Sequence, residues 1–231
     1  MSLYFSGFTP AALQFLEDLA KNNTREWFAE HKPDYEHLLK NPSLGLVDVM
    51  NERFEDLGLA FVSTPKASLF RIHRDTRFSK DKSPYKTNCG ISFPYHARRQ
   101  DGTAVNSPGL YLHIAPQELF VAGGLYMPMP EQLKAIRERI ADEWQILESI
   151  LRQPMFMAEF PSGLHGEMLK NIPRGYEKDH PGEQYLRLKQ YLVECPLRPE
   201  AIFTEQIIDI IEAKSIAIAP LLQYLTEAIS A

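Results

Sequence analysis

The hydrophobic period of this chain changes twice, and that change limits the architectures open to it. Over the first 58 residues apolar side chains recur three or four positions apart, the spacing of a helix face. Thr9-Pro10 sets a cap and then a proline at the first helical position, followed by Leu13, Phe15, Leu16 and Leu19. Asn23 with Glu26 three residues on reads as a capping box for a helix carrying Trp27 and Phe28, which Pro33 kinks or restarts. Asn41-Pro42 opens another, with Val47, Met50, Phe54 and Leu57 inward and Gly58 at its end. The middle of the chain alternates instead. Segments 69–73, 89–95, 110–114 and 119–125 are short β-compatible runs separated by Pro, Gly, Asn and Asp, the pattern of antiparallel strands. Helical spacing returns over 130–151, closed by Pro154, and over the isoleucine-rich 199–229, with a kink expected at Pro220. Residues 160–184 read as a long ordered loop. The expected fold is α+β: an antiparallel sheet of about four or more strands, packed by N-terminal and C-terminal helices, in one domain over residues 1–231.

Composition excludes broad classes. At 231 residues, 44% hydrophobic and 24% charged, the chain is neither disordered nor fibrous. No apolar run approaches the roughly 18 residues of a membrane span. The first residues carry neither the basic nor the long apolar region of a signal peptide, and Met1 to Leu3 carry no weight here. Two cysteines, Cys89 and Cys195, make no disulfide framework, so a reduced, cytoplasmic setting is expected.

The net charge of −5 is unevenly spread. Segment 66–99 holds nine basic residues (Lys66, Arg71, Arg74, Arg77, Lys80, Lys82, Lys86, Arg98 and Arg99) against Asp75 and Asp81, a net +7. The remaining 16 basic and 28 acidic residues net −12. Like charges held together repel unless an anion or nearby acids offset them. Arg71, Arg74, Arg77, Lys82, Tyr85 and Lys86 are therefore the expected anion-binding residues.

Strand alternation predicts Phe70 and Ile72 pointing into the core, with Arg71 and His73 on the opposite face. The same parity sets Tyr111 and His113 opposite Leu110, Leu112 and Ile114, and Ser92 opposite Ile91 and Phe93. Arg71, His73, Ser92, Tyr111 and His113 would then floor a pocket. His73 is the first candidate for acid/base chemistry, since an unperturbed imidazole titrates near neutrality; Asp75 and His180 join it. Arg174, Tyr176, Lys178, Asp179 and His180 form a second polar group that could act as a wall or lid. Gly123-Gly124 is not a nucleotide cradle; a bulge or a close ligand approach fits it better. No cofactor is indicated. His31, His37, His73, His96, His113, His165 and His180 include no HExxH spacing, which leaves His73 with His113 as the one pair able to share a metal across strands.

The motif Arg71-Ile-x-Arg74-Asp75-x-Arg77-Phe78-Ser79-x-Asp81-Lys82-x-Pro84-Tyr85-Lys86 resembles the family called domain of unknown function 2461. The resemblance extends to Gly7-Phe8 with Phe15-Leu16, Asn22-Asn23 with Trp27-Phe28, 109–114, Gly123-Gly124 with Tyr126, Pro173-Arg174-Gly175-Tyr176 and Asp179-His180-Pro181. It covers roughly residues 5 to 195 and implies one whole-chain domain, with no activity or cofactor to carry over.

Two function classes compete. The first is an enzyme or ligand-binding protein handling a small anionic substrate, phosphorylated compounds included, at a basic pocket from residues 71–86. The second is a non-catalytic module for nucleic acid or an acidic protein partner, with Phe78, Tyr85, Phe93 and Tyr95 for stacking. The −12 background would repel a long polyanion and ranks this second. A structural ion network is the third option. Monomer and homodimer both stay open.

Overall fold

The computed structural model describes residues 5–95 and 107–230, apart from the side chains of Pro65 and Lys66. Met1 to Leu3, His96, Arg98, Arg99 and the Lys66 side chain lie outside the described residues.

The N-terminal helices follow the expected stripe with two differences. Helix α1 (Pro10–Lys21) buries Ala12, Phe15, Leu16 and Leu19. Helix α2 (Arg25–Glu30) is capped by Thr24, whose Oγ1 accepts from Trp27 N–H at 3.2 Å, and not by Asn23. The Asn23 side chain is engaged 62 residues away instead, at Tyr85. Helix α3 (Lys32–Tyr35) starts around Pro33, and Asn41-Pro42 opens the next α-helix, as expected. The chain runs on through a wide turn over Glu36–Lys40, where Asn41 N–H bonds to Glu36 C=O, into helix α4 (Asn41–Asp56). Pro42 lacks the N–H for a regular turn, and the five-residue turn accommodates its ring. Leu57 is the C-cap of α4 and is exposed, so it does not face inward; Gly58 follows at φ +64°. Helix α5 (Pro65–Ser68) is a single turn leading to the basic segment.

Strands β1 (Cys89–Pro94), β2 (Gly109–Ile114) and β3 (Leu119–Leu125) match three of the alternating runs. The fourth strand is β4 (Tyr191–Pro196), giving an all-antiparallel order β1-β2-β3-β4. The 69–73 run is not a sheet strand. It touches β1 at one bridge, Leu69 with Ile91, and then turns to bridge His73 with Tyr85. Leu69 shares the inward face of Ile91, so the next side chain, Phe70, points the other way. Phe70 is 49% exposed, against the expectation of a core position, while Ile72 is buried.

Helix α6 (Pro130–Leu151) ends before Pro154, which opens helix α7 (Pro154–Glu159) and does not merely close its predecessor. After the long loop come helix α8 (Glu183–Leu186), β4 and a short 3-10 turn, then helix α9 (Gln206–Ser230), which carries Pro220 inside it. Helices α4 and α9 cover one face of the sheet, and α6 and α7 pack on α9. A Cβ at Gly123 would lie 2.2 Å from Ile218 Cδ1, so this glycine lets α9 sit directly on β3. The buried Lys214 ammonium ties α9 to α7 through Glu159 at 3.0 Å. Among the described residues no helix is long and apolar enough to cross a membrane. The architecture is α+β, with helices on one face of the antiparallel sheet and, among the described residues, a cleft on the other.

Candidate functional site

Antiparallel register aligns Ser92, Tyr111, Ala122 and Glu194 in one row across all four strands, on the face away from the helices. Ala122, Gly109 and Gly124 supply little side-chain bulk beside them, and the result is a cleft of about 590 Å³. Phe70, Lys86 and Asn88 form its wall at the β1 side. Leu192 and Glu194 form the β4 side, with Phe120 and Tyr126 along β3 and its exit. The lining is chiefly apolar and aromatic, with a few polar groups converging on it, as in small-molecule sites generally.

Lys86 reaches this wall because its neighbour is pinned. Arg74 N–H donates to Pro84 C=O at 2.9 Å and Lys86 N–H to Ile72 C=O at 2.8 Å, so residues 72–86 form a hairpin arm. Tyr85 is buried against Phe28, with ring centres 4.1 Å apart and stacked. Asn23 holds its backbone. Alternation then turns Lys86 toward the cleft. Its ammonium lies 5.2 Å from the Phe70 ring centre, within cation–π range, and no carboxylate pairs with it among the described residues. Burial first, and the Arg71 guanidinium second, push Lys86 below the ordinary lysine value.

On the floor, the Tyr111 hydroxyl meets His113 Nδ1 at 3.1 Å. Burial, then the nearby Cys89, push the Tyr111 phenol up to about 12, partly countered by a hydrogen bond with Asn88. Tyr111 is therefore a neutral donor near neutral pH. The His113 ring stacks on Phe120, centres 4.6 Å apart, and Nε2 lies 3.8 Å from the Glu118 carboxylate. Burial pushes His113 below the usual imidazole value, with Glu118 and Glu194 opposing. In the tautomer this favours, Tyr111 O–H donates to Nδ1 and Nε2–H faces Glu118.

Half of the motif's six cations are engaged within its own exposed loop. Arg74 pairs with Asp81, and Arg77 with Asp75, Nη2 to Oδ2 at 2.7 Å. Lys82 Nζ donates to Thr76 C=O at 2.9 Å. Hydrogen bonds from Ser83 and from Arg74 hold the Asp81 carboxyl well below the usual carboxylate range, and those from Arg77 do the same to Asp75. Arg71 is exposed, with no hydrogen bond or ion pair among the described residues, and its charge reaches both Lys86 and Asp75.

Of the sequence-predicted residues, Lys86, Ser92 and Tyr111 line the cleft and His113 is hydrogen-bonded to Tyr111. Arg71 is adjacent through Lys86. Arg74, Asp75, Arg77 and Lys82 belong to the arm's outer loop. His73 is exposed and packs edge-on to Phe28 and beside Tyr85, not on the floor. His180 uses both ring nitrogens on backbone: Nε2 with Ala141 C=O and Nδ1 with Gly182 N–H, each at 3.0 Å, which fastens the long loop to α6. Arg174 is exposed on that loop, away from the cleft lining. His73 and His113 sit in separate aromatic clusters, and no three His, Cys, Asp or Glu side chains converge among the described residues. Phe93 and Tyr95 are buried, so of the aromatics expected to stack on a partner Phe78 alone is exposed, at 94%.

Sequence reasoning missed Phe70, Asn88, Phe120, Tyr126 and Glu194. The available signal was the alternation of Leu192 and Glu194 against Tyr191 and Val193, which marks a strand with one polar face. Gly123-Gly124 does border the cleft, but backbone crowding already explains Gly124: at φ +114° a Cβ would fall 1.9 Å from Tyr191 O.

A family model described as "Conserved hypothetical protein (DUF2461)" matches residues 11–224. Neither the curated proteins nor the solved structures contain a match.

Proposed function

We propose that this chain, which belongs to the DUF2461 family of conserved hypothetical proteins, handles a small organic anion in the cleft on the sheet face away from the helices. The observation that carries the reading is Lys86, a partly desolvated ammonium with no carboxylate partner among the described residues, at the wall of a cleft lined by aromatic rings. An anion there regains the Coulomb energy that burial has cost the lysine, and Asn88 and Ser92 offer hydrogen bonds beside it. Arg71 is the nearest reserve of positive charge. If the bound anion is turned over, the Tyr111–His113 pair is the group placed to move a proton at the cleft floor. A reducing, cytoplasmic setting accords with two unpaired thiols, one of them buried against Ser43.

Thermal denaturation in a library of carboxylates and phosphate esters tests this. A ligand at about 100 times its Kd should add roughly 2.7 kcal/mol, and Lys86→Met should abolish the response while keeping the fold. No response from wild type, or an equal one from the variant, overturns the reading.

The exposure of Phe78 favours a second reading, a docking loop for nucleic acid or an acidic protein partner, with Arg77 5.7 Å from the ring centre. It predicts affinity that falls steeply with salt and is lost in Phe78→Ser. Absence of oligonucleotide binding at low salt removes the nucleic-acid version.

A further inference from the structure

The cleft holds two unpaired charges of opposite sign. Lys86 stands at its β1 wall; Glu194, half-buried on β4, stands at the other, with no hydrogen bond or ion pair among the described residues. The two do not pair with each other. The rings of Phe70, Tyr111, Phe120 and Tyr126 line the same cleft. We propose that the cleft takes a zwitterion whose carboxylate and ammonium sit at opposite ends of a ring-bearing body, the carboxylate at Lys86 and the ammonium at Glu194.

This rests on the reading of Lys86 as the anion anchor and adds the identity of the other end. Three strand intervals separate β1 from β4, about 14 Å of sheet at ~4.8 Å each. Two side chains entering from opposite edges meet charges held apart by a ring, and not two charges borne by one carbon. Glu194 also repels a second negative group, so the site discriminates against dianions as well as selecting for an ammonium. His113 reports the geometry, since its imidazole feels the Glu194 carboxylate.

Three probes with one ring separate the terms: para-(aminomethyl)benzoate carries both charges, para-toluate the anion alone, and para-methylbenzylamine the cation alone. Affinities are read by NMR titration of Tyr111 and Phe120 in wild type, Glu194→Gln and Lys86→Met. The zwitterion should bind wild type about tenfold more tightly than toluate, the gain of one charge-assisted contact. Glu194→Gln should remove that gain and leave toluate unchanged or improved; Lys86→Met should weaken both. Equal affinity for zwitterion and toluate in wild type, with no effect of Glu194→Gln, overturns the zwitterion inference and leaves the Lys86 reading standing. If neither perturbs Tyr111 and Phe120, both fall.

Discussion

One side chain, Asn23, serves as strand partner to the backbone of Tyr85. Its Nδ2 donates to the Tyr85 C=O at 2.9 Å and its Oδ1 accepts from the Tyr85 N–H at 3.1 Å, across 62 residues of sequence. The clamp joins the α1–α2 corner to the basic arm and holds Lys86 at the cleft wall.

Asn23→Ala leaves two partly buried backbone groups without partners, so a loss of about 2 kcal/mol is expected in urea denaturation. Asn23→Asp can accept but not donate and should recover part of it. Both variants should weaken binding at Lys86 more than a surface change of equal stability cost does.

The arm's acids should titrate abnormally low. Asp75 and Asp81 are depressed by hydrogen bonds in the folded state, so whatever they contribute is present above the unfolded carboxylate value and is lost as pH falls through the lower, folded one. Carboxyl 13C titration should give both midpoints below the ordinary aspartate value. Asp81→Asn should raise protease sensitivity in the arm around residue 78 at neutral pH; unchanged sensitivity would remove the ion pairs from any role in ordering the loop.

His113 should act in the same direction, in a higher range of pH. Its folded pKa lies below the ordinary 6.5, and burial is the larger cause. The unfolded chain therefore takes up its proton first, and stability falls as pH drops through the ordinary imidazole value and on toward the lower, folded one. His113→Gln should flatten that part of the thermal midpoint profile. A wild-type slope that survives in the variant would assign it to another group.

Gly90 should matter through Tyr111. A Cβ there would meet the Tyr111 hydroxyl oxygen at 2.6 Å and Cε2 at 2.8 Å. Gly90→Ala should swing the phenol away, break its bond to His113 and shift the His113 ring resonances, at a modest stability cost because a side-chain end can move. Gly124→Ala has no such escape, being opposed by backbone at positive φ, and should cost on the order of 3 kcal/mol or more.

The two changes of hydrophobic period were legible in the sequence, and with them the longer helices and three strands, though not the short helices at 65–68, 154–159 and 183–186. Periodicity is a local property: it says which side of an element seeks the core, whatever that element later packs against. Its limits show at particular residues. The short 191–196 run between a loop and a helix became a strand by pairing with β3. Phe70 faces the cleft because Leu69 took the inward position opposite Ile91. The charge block was likewise visible as six cations in a motif, yet which of them stay unpaired depends on where the acids come to rest. Asp75 and Asp81 satisfy Arg77 and Arg74 inside the arm, while the Tyr85 anchor turns Lys86 toward a hollow where no acid pairs with it among the described residues. Chain chemistry determined the secondary structure and the charge; long-range packing decided which charge is left for a ligand, because pairing depends on distances in space that the order of residues does not encode.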